Sequence, residues 1–289
     1  MFKKSPMIAA YIDLTKPRIL TLVLVTTTLG FFLGGRGIHS FIELFFLLLG
    51  VALVCAGSAV LNHYLERDID AKMLRTRNRP LPMGVIQPAD ALIFGIVLIL
   101  AGVFTLWWKT NLLTAFLSLL SAFLYVLVYT PMKRISWLNT SIGAIPGALP
   151  PLGGWAAATG DLSLGGWVLF AILFLWQHPH FYAIAWMFKE DYQRGGFKML
   201  PVVQPDGRGT FLQIIVFSVF LIPVSVMPTL LGMSGKLYFS GALLMGIFML
   251  ALGGILALTK SHGDARKLLK ATVLYLPALL FLIILDVKF

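Results

Sequence analysis

Long apolar stretches alternate with short polar segments along almost the whole chain. Nine apolar stretches can be drawn, at residues 19–35, 41–61, 91–108, 112–129, 139–158, 164–186, 211–232, 237–258 and 269–286. Most are long enough to cross a hydrocarbon core of roughly 30 Å, which takes about 20 helical residues. The pattern predicts an all-α polytopic membrane protein with nine transmembrane helices in one bundle.

The fifth stretch, residues 139–158, is the weakest of the nine because it is rich in proline and glycine. Prolines are tolerated in a membrane helix where neighbouring helices shield the freed backbone, and small residues permit close helix approach. We therefore expect this helix to be buried and to line a central cavity.

Composition strengthens the membrane assignment. Hydrophobic residues make up 58% of the 289 residues, and the mean hydropathy is +0.88. A soluble domain of this length does not need so much apolar surface. The single cysteine, Cys55, lies inside an apolar stretch, which predicts a packing residue rather than a disulfide or a metal-thiolate site. Residues 1–18 show no cleavable signal, and no composition shift divides the chain, so we expect one domain over residues 1–289.

The basic residues predict the orientation in the membrane. With a cytoplasmic N-terminus, all but four of the 23 Lys and Arg residues fall in cytoplasmic segments; the four are Arg36, Lys109, Lys236 and Lys288. This bias is the positive-inside pattern and puts the C-terminus outside. The net charge of +11 is spread over the loops of one membrane face, so we expect no nucleic-acid partner.

Three oxygen-bearing residues, Asn62, Glu66 and Asp70, recur every four residues where the second apolar stretch ends. If the helix continues, each step turns about 40°, so all three project from one face over roughly 12 Å. We call these residues the acidic stripe. Two carboxylates and an amide oxygen are hard ligands that suit Mg²⁺, so the spacing predicts catalytic, metal-binding residues.

Basic residues follow the acidic stripe at once, at Arg75, Arg77 and Arg79. Guanidinium groups bind phosphate bidentately. Acids for the metal followed by bases for the phosphate predict a Mg²⁺-diphosphate site, with Arg75 and Arg79 as phosphate ligands. A solvated cytoplasmic loop is the alternative; it explains the arginines but not the ordered acids.

A second charged stretch follows the sixth apolar stretch, with Glu190 and Asp191 before Arg194 and Lys198. Both stretches follow even-numbered spans, so both helices end at the cytoplasm. Acids facing each other from two helices allow a pair of Mg²⁺ ions to clamp one diphosphate. We therefore predict Glu190 and Asp191 as further metal ligands and Lys198 as a phosphate ligand.

Two more basic residues, Lys133 and Arg134, end the fourth span. They are predicted to close over phosphate oxygens, and they could equally be topogenic charges at a span end.

Two histidines, His178 and His180, flank Pro179 inside the sixth stretch. Ionisable residues are costly within a membrane and are functional candidates by default. Neutral imidazole is a good iron ligand, although a buried histidine can also simply bond a neighbouring helix. We predict a substrate-contact role for the pair. His63, beside the acidic stripe, is expected to orient a carboxylate or to face lipid headgroups.

Taken together, these motifs resemble the UbiA-type membrane prenyltransferases, and within them the branch that modifies haem. The matching segments are Thr15–Arg18, Asn62–Pro82, Tyr129–Arg134, Gly143–Trp155 and Gln177–Pro201. Two positions depart from the family pattern: Glu66 stands where aspartate is usual, and Trp186 stands four residues before Glu190. The second departure makes a second Mg²⁺ site less secure than the first.

The resemblance implies a nine-helix bundle around a lipid-accessible cavity in a bacterial inner membrane, with its active site facing the cytoplasm. The implied reaction transfers the farnesyl group of farnesyl diphosphate to a vinyl group of haem b, with Mg²⁺, for terminal oxidase haem biosynthesis. His178 and His180 would then be haem-binding. Implied partners are the two substrates, the lipid bilayer, and haem A synthase or oxidase assembly.

Three alternatives remain open at this point. A related prenyltransferase could act on an aromatic acid or a quinone precursor. A transporter would have similar spans but would place its charges near the membrane midplane. A haem-binding membrane subunit without catalysis would keep the histidines but would not need the acidic stripe.

Overall fold

The computed structural model describes residues 7–288 and contains nine long helices within that range. We number them α1 Pro17–Gly34, α2 Phe41–Asp70, α3 Pro88–Lys109, α4 Leu112–Met132, α5 Asn139–Thr159, α6 Leu164–Met187, α7 Arg208–Leu230, α8 Lys236–Thr259 and α9 His262–Leu285. In this range β structure is limited to an isolated bridge between Ser234 and Val287. The all-α prediction is confirmed.

Eight of these nine helices are long and apolar enough to cross a membrane, judged over residues 7–288. The ninth, α5, has the length for a crossing, with 21 residues, but carries three internal prolines. It packs against α1, α4 and α6, and most of its second half is buried. A crossing by α5, and with it the total of nine spans, stays a prediction.

A side chain of α4 satisfies one of the backbone carbonyls that the prolines of α5 leave free. Pro150 has no N–H to donate to the carbonyl of Pro146 four residues earlier. Ser121 Oγ on α4 donates a hydrogen bond of 3.1 Å to that carbonyl instead. Asn111 Nδ2, just before α4, adds a second tie to α5 by donating to the Ala156 carbonyl at 2.9 Å. The irregular helix is therefore held by α4, as shielding by neighbours requires.

Glycines allow α2 and α3 to touch backbone to backbone at two positions. A Cβ atom at Gly57 of α2 would lie 2.6 Å from the Gly95 carbonyl of α3, and one at Gly102 would lie 2.6 Å from the Gly50 carbonyl. Any larger residue at these positions would push α2 and α3 apart. This close packing holds α2, the helix that carries the acidic stripe.

Helix α2 has 30 residues and continues well past its apolar part, which ends at residue 61. It starts at Ser40, whose Oγ accepts a hydrogen bond of 3.1 Å from the Glu43 amide. Its last two turns carry Glu66 and Asp70, so the predicted continuation of the helix is confirmed.

A short amphipathic helix, Met7–Leu14, precedes the first span. Ala10 and Leu14 are buried, whereas Met7, Ile8 and Ile12 are exposed. This arrangement is typical of a helix that lies in a membrane interface. Between this helix and α1 the chain turns at Lys16, which has a left-handed φ of 51°.

Candidate functional site

The acidic stripe is buried at one end of the bundle. Asn62, Glu66 and Asp70 are 1%, 4% and 0% exposed, respectively. Because all three lie on α2, their spacing places them on one face, as the sequence predicted. A solvated loop would leave these side chains in water, so the burial of the acids does not fit that alternative.

A cation pairs with each carboxylate of the stripe. Lys133 Nζ lies 2.7 Å from Glu66 Oε1, and Arg79 Nη1 lies 2.7 Å from Asp70 Oδ2. Burial disfavours the charged form of Lys133, but the Glu66 carboxylate outweighs it and raises the pKa of the ammonium group above its usual value. The ammonium group also lies 4.6 Å from the centre of the Tyr129 ring. Two of the five predicted phosphate ligands, Arg79 and Lys133, therefore reach the stripe.

A third cation, Lys16, contacts the amide of the stripe. Its Nζ donates to Asn62 Oδ1 at 2.7 Å and lies 3.3 Å from the Tyr125 hydroxyl. Asn62 Nδ2 donates to Thr130 Oγ1 at 3.0 Å, so the orientation of the amide is fixed with its oxygen towards the lysine. The π-helical turn Leu124–Tyr129 of α4 presents this part of the wall.

Sequence reasoning did not identify Lys16 as a site residue and treated it as a topogenic charge. Burial, with the charges of Arg79 and Lys133 nearby, lowers the pKa of Lys16 to about 7. The three cations face only two carboxylates, so one further anion bound among them would be favourable. The segment Thr15–Arg18 was the available signal, because it matches a motif without forming part of the stripe.

Two buried polar groups near the stripe lack partners among residues 7–288. They are Asp70 Oδ1 and both ring nitrogens of His63, a residue that is 2% exposed. His63 thus neither bonds a carboxylate nor faces headgroups, contrary to both expectations for it. Unpaired buried polar atoms are costly, so the Asp70 oxygen in particular is suited to a ligand.

The second predicted acid pair has different surroundings. Glu190 is exposed. Asp191 Oδ1 accepts a hydrogen bond of 3.0 Å from the Leu74 amide, and its Oδ2 accepts one of 3.2 Å from the Arg75 amide. Arg194 also donates to Asp191 at 2.6 Å. We call the joining of Asp191 to Leu74 and Arg75 the Asp191 clasp, because it ties together the loops that follow α2 and α6.

The hydrogen bond from Arg194 and the two amide contacts of the clasp outweigh the effect of burial and hold the pKa of Asp191 below its usual value. Its oxygens are thus occupied by protein donors. Within residues 7–288 no three His, Cys, Asp or Glu side chains converge as a metal cluster. Metal binding by Glu190 and Asp191 therefore stays a prediction.

The remaining predicted phosphate ligands lie on the loop surface. Arg75, Arg134 and Lys198 are exposed. The guanidinium carbon of Arg75 lies 5.4 Å from the centre of the Phe188 ring. The Lys198 amide donates to the Lys133 carbonyl at 2.6 Å, which brings the loop of Lys198 against Lys133. Their phosphate-binding roles stay predictions.

The two histidines of α6 contact different helices. His178 is buried: its Nδ1 lies 2.8 Å from the Phe174 carbonyl and its Nε2 lies 3.0 Å from Ser141 Oγ of α5. Its ring stacks on Phe217 of α7 with centroids 3.4 Å apart. His180 is partly buried, and its Nδ1 lies 2.8 Å from Thr272 Oγ1 of α9. The sequence analysis predicts one shared role for the two histidines, but in the structure His178 contacts α5 and α7 whereas His180 contacts α9.

Comparison with known proteins identifies the relatives of this chain. It matches the UbiA prenyltransferase family over residues 23–283. It is 49% identical over 285 residues to a protoheme IX farnesyltransferase of Solibacter usitatus, with 96% of this chain and 98% of the relative covered. A protoheme IX farnesyltransferase of Koribacter versatilis is 42% identical over 287 residues, with 96% and 92% covered.

Solved structures share the fold at low sequence identity. A structure of digeranylgeranylglyceryl phosphate synthase matches with a TM-score of 0.82 at 18% identity, covering 97% of this chain and 98% of that one. A UbiA homolog from Archaeoglobus fulgidus bound to GPP and Mg²⁺ matches with a TM-score of 0.65 at 16% identity, covering 95% and 99%. These matches establish the architecture of the bundle.

Proposed function

The chain belongs to the UbiA prenyltransferase family, and from this membership we propose that it transfers the farnesyl group of farnesyl diphosphate to a vinyl group of haem b. The proposed farnesyl donor and haem acceptor are based on the relatives that match nearly the full chain, which are protoheme IX farnesyltransferases. The observation that carries the chemistry is a buried acidic stripe paired residue by residue with three cations. We propose a single catalytic domain over residues 1–289.

The reaction needs a site that binds a highly charged leaving group beside an apolar space. The carbon–oxygen bond to the diphosphate breaks, and the diphosphate leaves with the electron pair. The farnesyl carbon bonds to the end carbon of the vinyl group, and water adds a hydroxyl to the adjacent carbon and releases a proton. Stabilising the charge that develops on the diphosphate lowers this barrier. Lys16, Arg79 and Lys133 are the cations in place to do so.

The donors of the stripe fit a Mg²⁺ ion, which we propose as the cofactor. Asp70 Oδ1 is a buried carboxylate oxygen without a partner among the described residues, and Glu66 and Asn62 supply further hard oxygens from the same face. A bound Mg²⁺ would supply charge neutralisation at the departing diphosphate. The cations now paired with the stripe would then be free to turn to the phosphate oxygens.

The reaction itself is tested with purified protein, haem b, farnesyl diphosphate and Mg²⁺. Mass spectrometry of the extracted porphyrin is expected to show haem b gaining one farnesyl group and one hydroxyl group. Parallel incubations with an aromatic acid or a quinone precursor test the alternative acceptors. Prenylation of one of these, with haem b unchanged, would replace the proposed acceptor while keeping the family chemistry.

We propose that the site faces the cytoplasm of a bacterial inner membrane, on the basis of the positive-inside bias. A cysteine at exposed Asn78, on a Cys55→Ala background, is expected to react with a membrane-impermeant maleimide in inside-out vesicles only. Thr76 is unsuitable for this purpose because it is buried and bonded to the Asp70 carbonyl. A cysteine at exposed Lys236 is the matched control and should react only in right-side-out vesicles. The reverse pattern would contradict this orientation.

Lys16 is expected to bind the diphosphate. Replacing it by methionine keeps the length of the side chain but removes the charge, so we expect the Kd for farnesyl diphosphate to rise about tenfold, as for one charge-assisted hydrogen bond. Isothermal titration in detergent measures this. Lys72→Met is the matched control, since Lys72 is exposed on the loop that follows α2. Equal affinities in the two variants would remove Lys16 from the site.

We also propose that the product is passed on within the membrane. Adding a farnesyl tail to haem raises its affinity for the bilayer by about 0.8 kcal/mol for each buried CH₂ group. The consumer of the product must therefore take it from the lipid phase, which supports an association with haem A synthase or with oxidase assembly.

A further inference from the structure

The two histidines of α6 differ in which ring atom remains available. Residues two positions apart point about 200° apart around a helix, so His178 and His180 cannot face the same ligand. A carbonyl only accepts, so His178 Nδ1 must carry the proton that it gives to Phe174. Its Nε2 is then an acceptor, and the Ser141 hydroxyl donates to it. His178 has no lone pair left for a metal.

His180 has the opposite arrangement. The Thr272 hydroxyl has one proton, and it donates that proton to the Leu269 carbonyl at 2.7 Å. Towards His180 it can therefore only accept, so His180 Nδ1 carries a proton and donates it to Thr272 at 2.8 Å. In the neutral ring Nε2 then has a free lone pair, and it makes no hydrogen bond to any of residues 7–288.

We propose that His180 ligates the iron of the haem substrate through Nε2 and that Thr272 is its positioning residue. The inference rests on the proposed function, because it names the protein contact of the proposed acceptor. Histidines that bind metals usually donate their other ring N–H to a fixed acceptor, which sets the tautomer and the angle of the ring. A hydroxyl already committed to a carbonyl is such an acceptor.

Trp176, which also bonds Thr272, fixes the plane of the His180 ring. Trp176, one turn before His180, stacks on the imidazole with centroids 5.0 Å apart and planes 21° apart. The Trp176 Nε1 group donates to the Thr272 carbonyl at 2.9 Å. Thr272 itself is fully buried in α9. The imidazole is therefore held by Thr272 of α9 at Nδ1 and by Trp176 of α6 on one face, while Nε2 makes no hydrogen bond within residues 7–288.

The depth of His180 suits the reaction. His180 lies seven residues before the end of α6 at Met187, or about 10 Å along the helix. Asn62 lies eight residues before the end of α2, or about 12 Å. Both helices end on the same side of the bundle, so a porphyrin held at His180 lies level with the diphosphate site. Ligation at His180 would thus hold the haem at about the depth of Asn62 in the acidic stripe.

The experiment compares haem b with metal-free protoporphyrin IX, which has the same ring and substituents but no iron. In purified protein, His180→Ala is expected to weaken haem b binding at least tenfold and to abolish the Soret shift. The affinity for protoporphyrin IX should stay within twofold of the wild type. His178→Ala is the comparison within the same helix. Its folded state is checked by a thermal unfolding curve, and the folded protein should keep the Soret shift.

The role of Thr272 is tested with two variants, one that loses the hydroxyl and one that keeps it. Thr272→Val loses the hydroxyl and should weaken haem b binding three- to tenfold, whereas Thr272→Ser should bind like the wild type. Because a purely structural threonine would affect both porphyrins equally, the loss must be confined to haem b. Added imidazole should restore the Soret shift to His180→Gly.

Two kinds of failure are distinguishable. If His180→Ala keeps the wild-type Soret shift and haem affinity while the wild type farnesylates haem, the ligand assignment is wrong and the proposed function stands. If the wild type binds neither porphyrin, the proposed acceptor is wrong, and the assignment falls with it.

Discussion

Replacing Asp70 by asparagine is expected to lower kcat about a thousandfold. Asp70 is fully buried, and one of its oxygens has no protein partner among residues 7–288. Asparagine keeps the shape but loses the charge that holds Mg²⁺. Charge stabilisation of several kcal/mol would then be missing in the transition state, and each 1.4 kcal/mol is a factor of ten. Single-turnover formation of farnesylated haem at saturating substrate measures the loss.

The chain offers a matched control two residues away. Asp68 is on the same helix, but its side chain is 83% exposed. Asp68→Asn makes the same chemical change outside the stripe and should keep activity within twofold. Glu66→Asp should also be tolerated, because it keeps charge and ligand type. Wild-type turnover by Asp70→Asn at limiting Mg²⁺ would contradict the assignment of the stripe as the metal site.

Removing Lys133 is expected to affect both stability and activity. Lys133→Met leaves the Glu66 carboxylate buried without a partner, and breaking a buried pair in this way costs about 3–5 kcal/mol. Replacing both partners, as Glu66→Gln with Lys133→Met, removes the unpaired charge and should recover most of that loss. Activity should be absent from both variants, since both lack the Lys133 cation and the double variant lacks the Glu66 carboxylate as well. Unfolding in detergent and turnover are measured on the same preparations.

An exposed ion pair is the control for the stability change expected in Lys133→Met. Lys267 and Asp264 are 2.8 Å apart, but the Lys267 side chain is 69% exposed. Lys267→Met should therefore cost less than about 1 kcal/mol. If Lys133→Met lowered the free energy of unfolding no more than Lys267→Met does, the Glu66–Lys133 pair would contribute no more to stability than an exposed ion pair.

The acidic stripe could be predicted because its geometry is local. A four-residue spacing on a continuing helix requires only that α2 extend to Asp70, and it does. The histidines illustrate the limit of local patterns. Their two-residue spacing already implied opposite faces, but only the contacts with Ser141 and Thr272 distinguish their free atoms.

Long-range pairing could not be predicted from spacing. Lys16 bonds Asn62, which is 46 positions away in the sequence. In the sequence alone, a lysine near the end of a span is interpreted as an ordinary topogenic charge. Asp191 meets Leu74 across 117 positions, and its place in an acidic pair pointed to a metal instead. In both cases the partner depends on how the loops pack, which a single sequence pattern does not encode.

The pairing of Glu66 with Lys133 also constrains the order of biogenesis. Lys133 follows Glu66 by 67 positions, so at about 5–20 residues per second the ribosome delivers it roughly 3 to 13 s later. Until then the nascent α2–α3 hairpin has a carboxylate near its membrane end without its counter-ion. The polar end of α2 cannot settle in its final position before the fourth helix has entered the bilayer, and the Asp191 clasp closes only after the sixth.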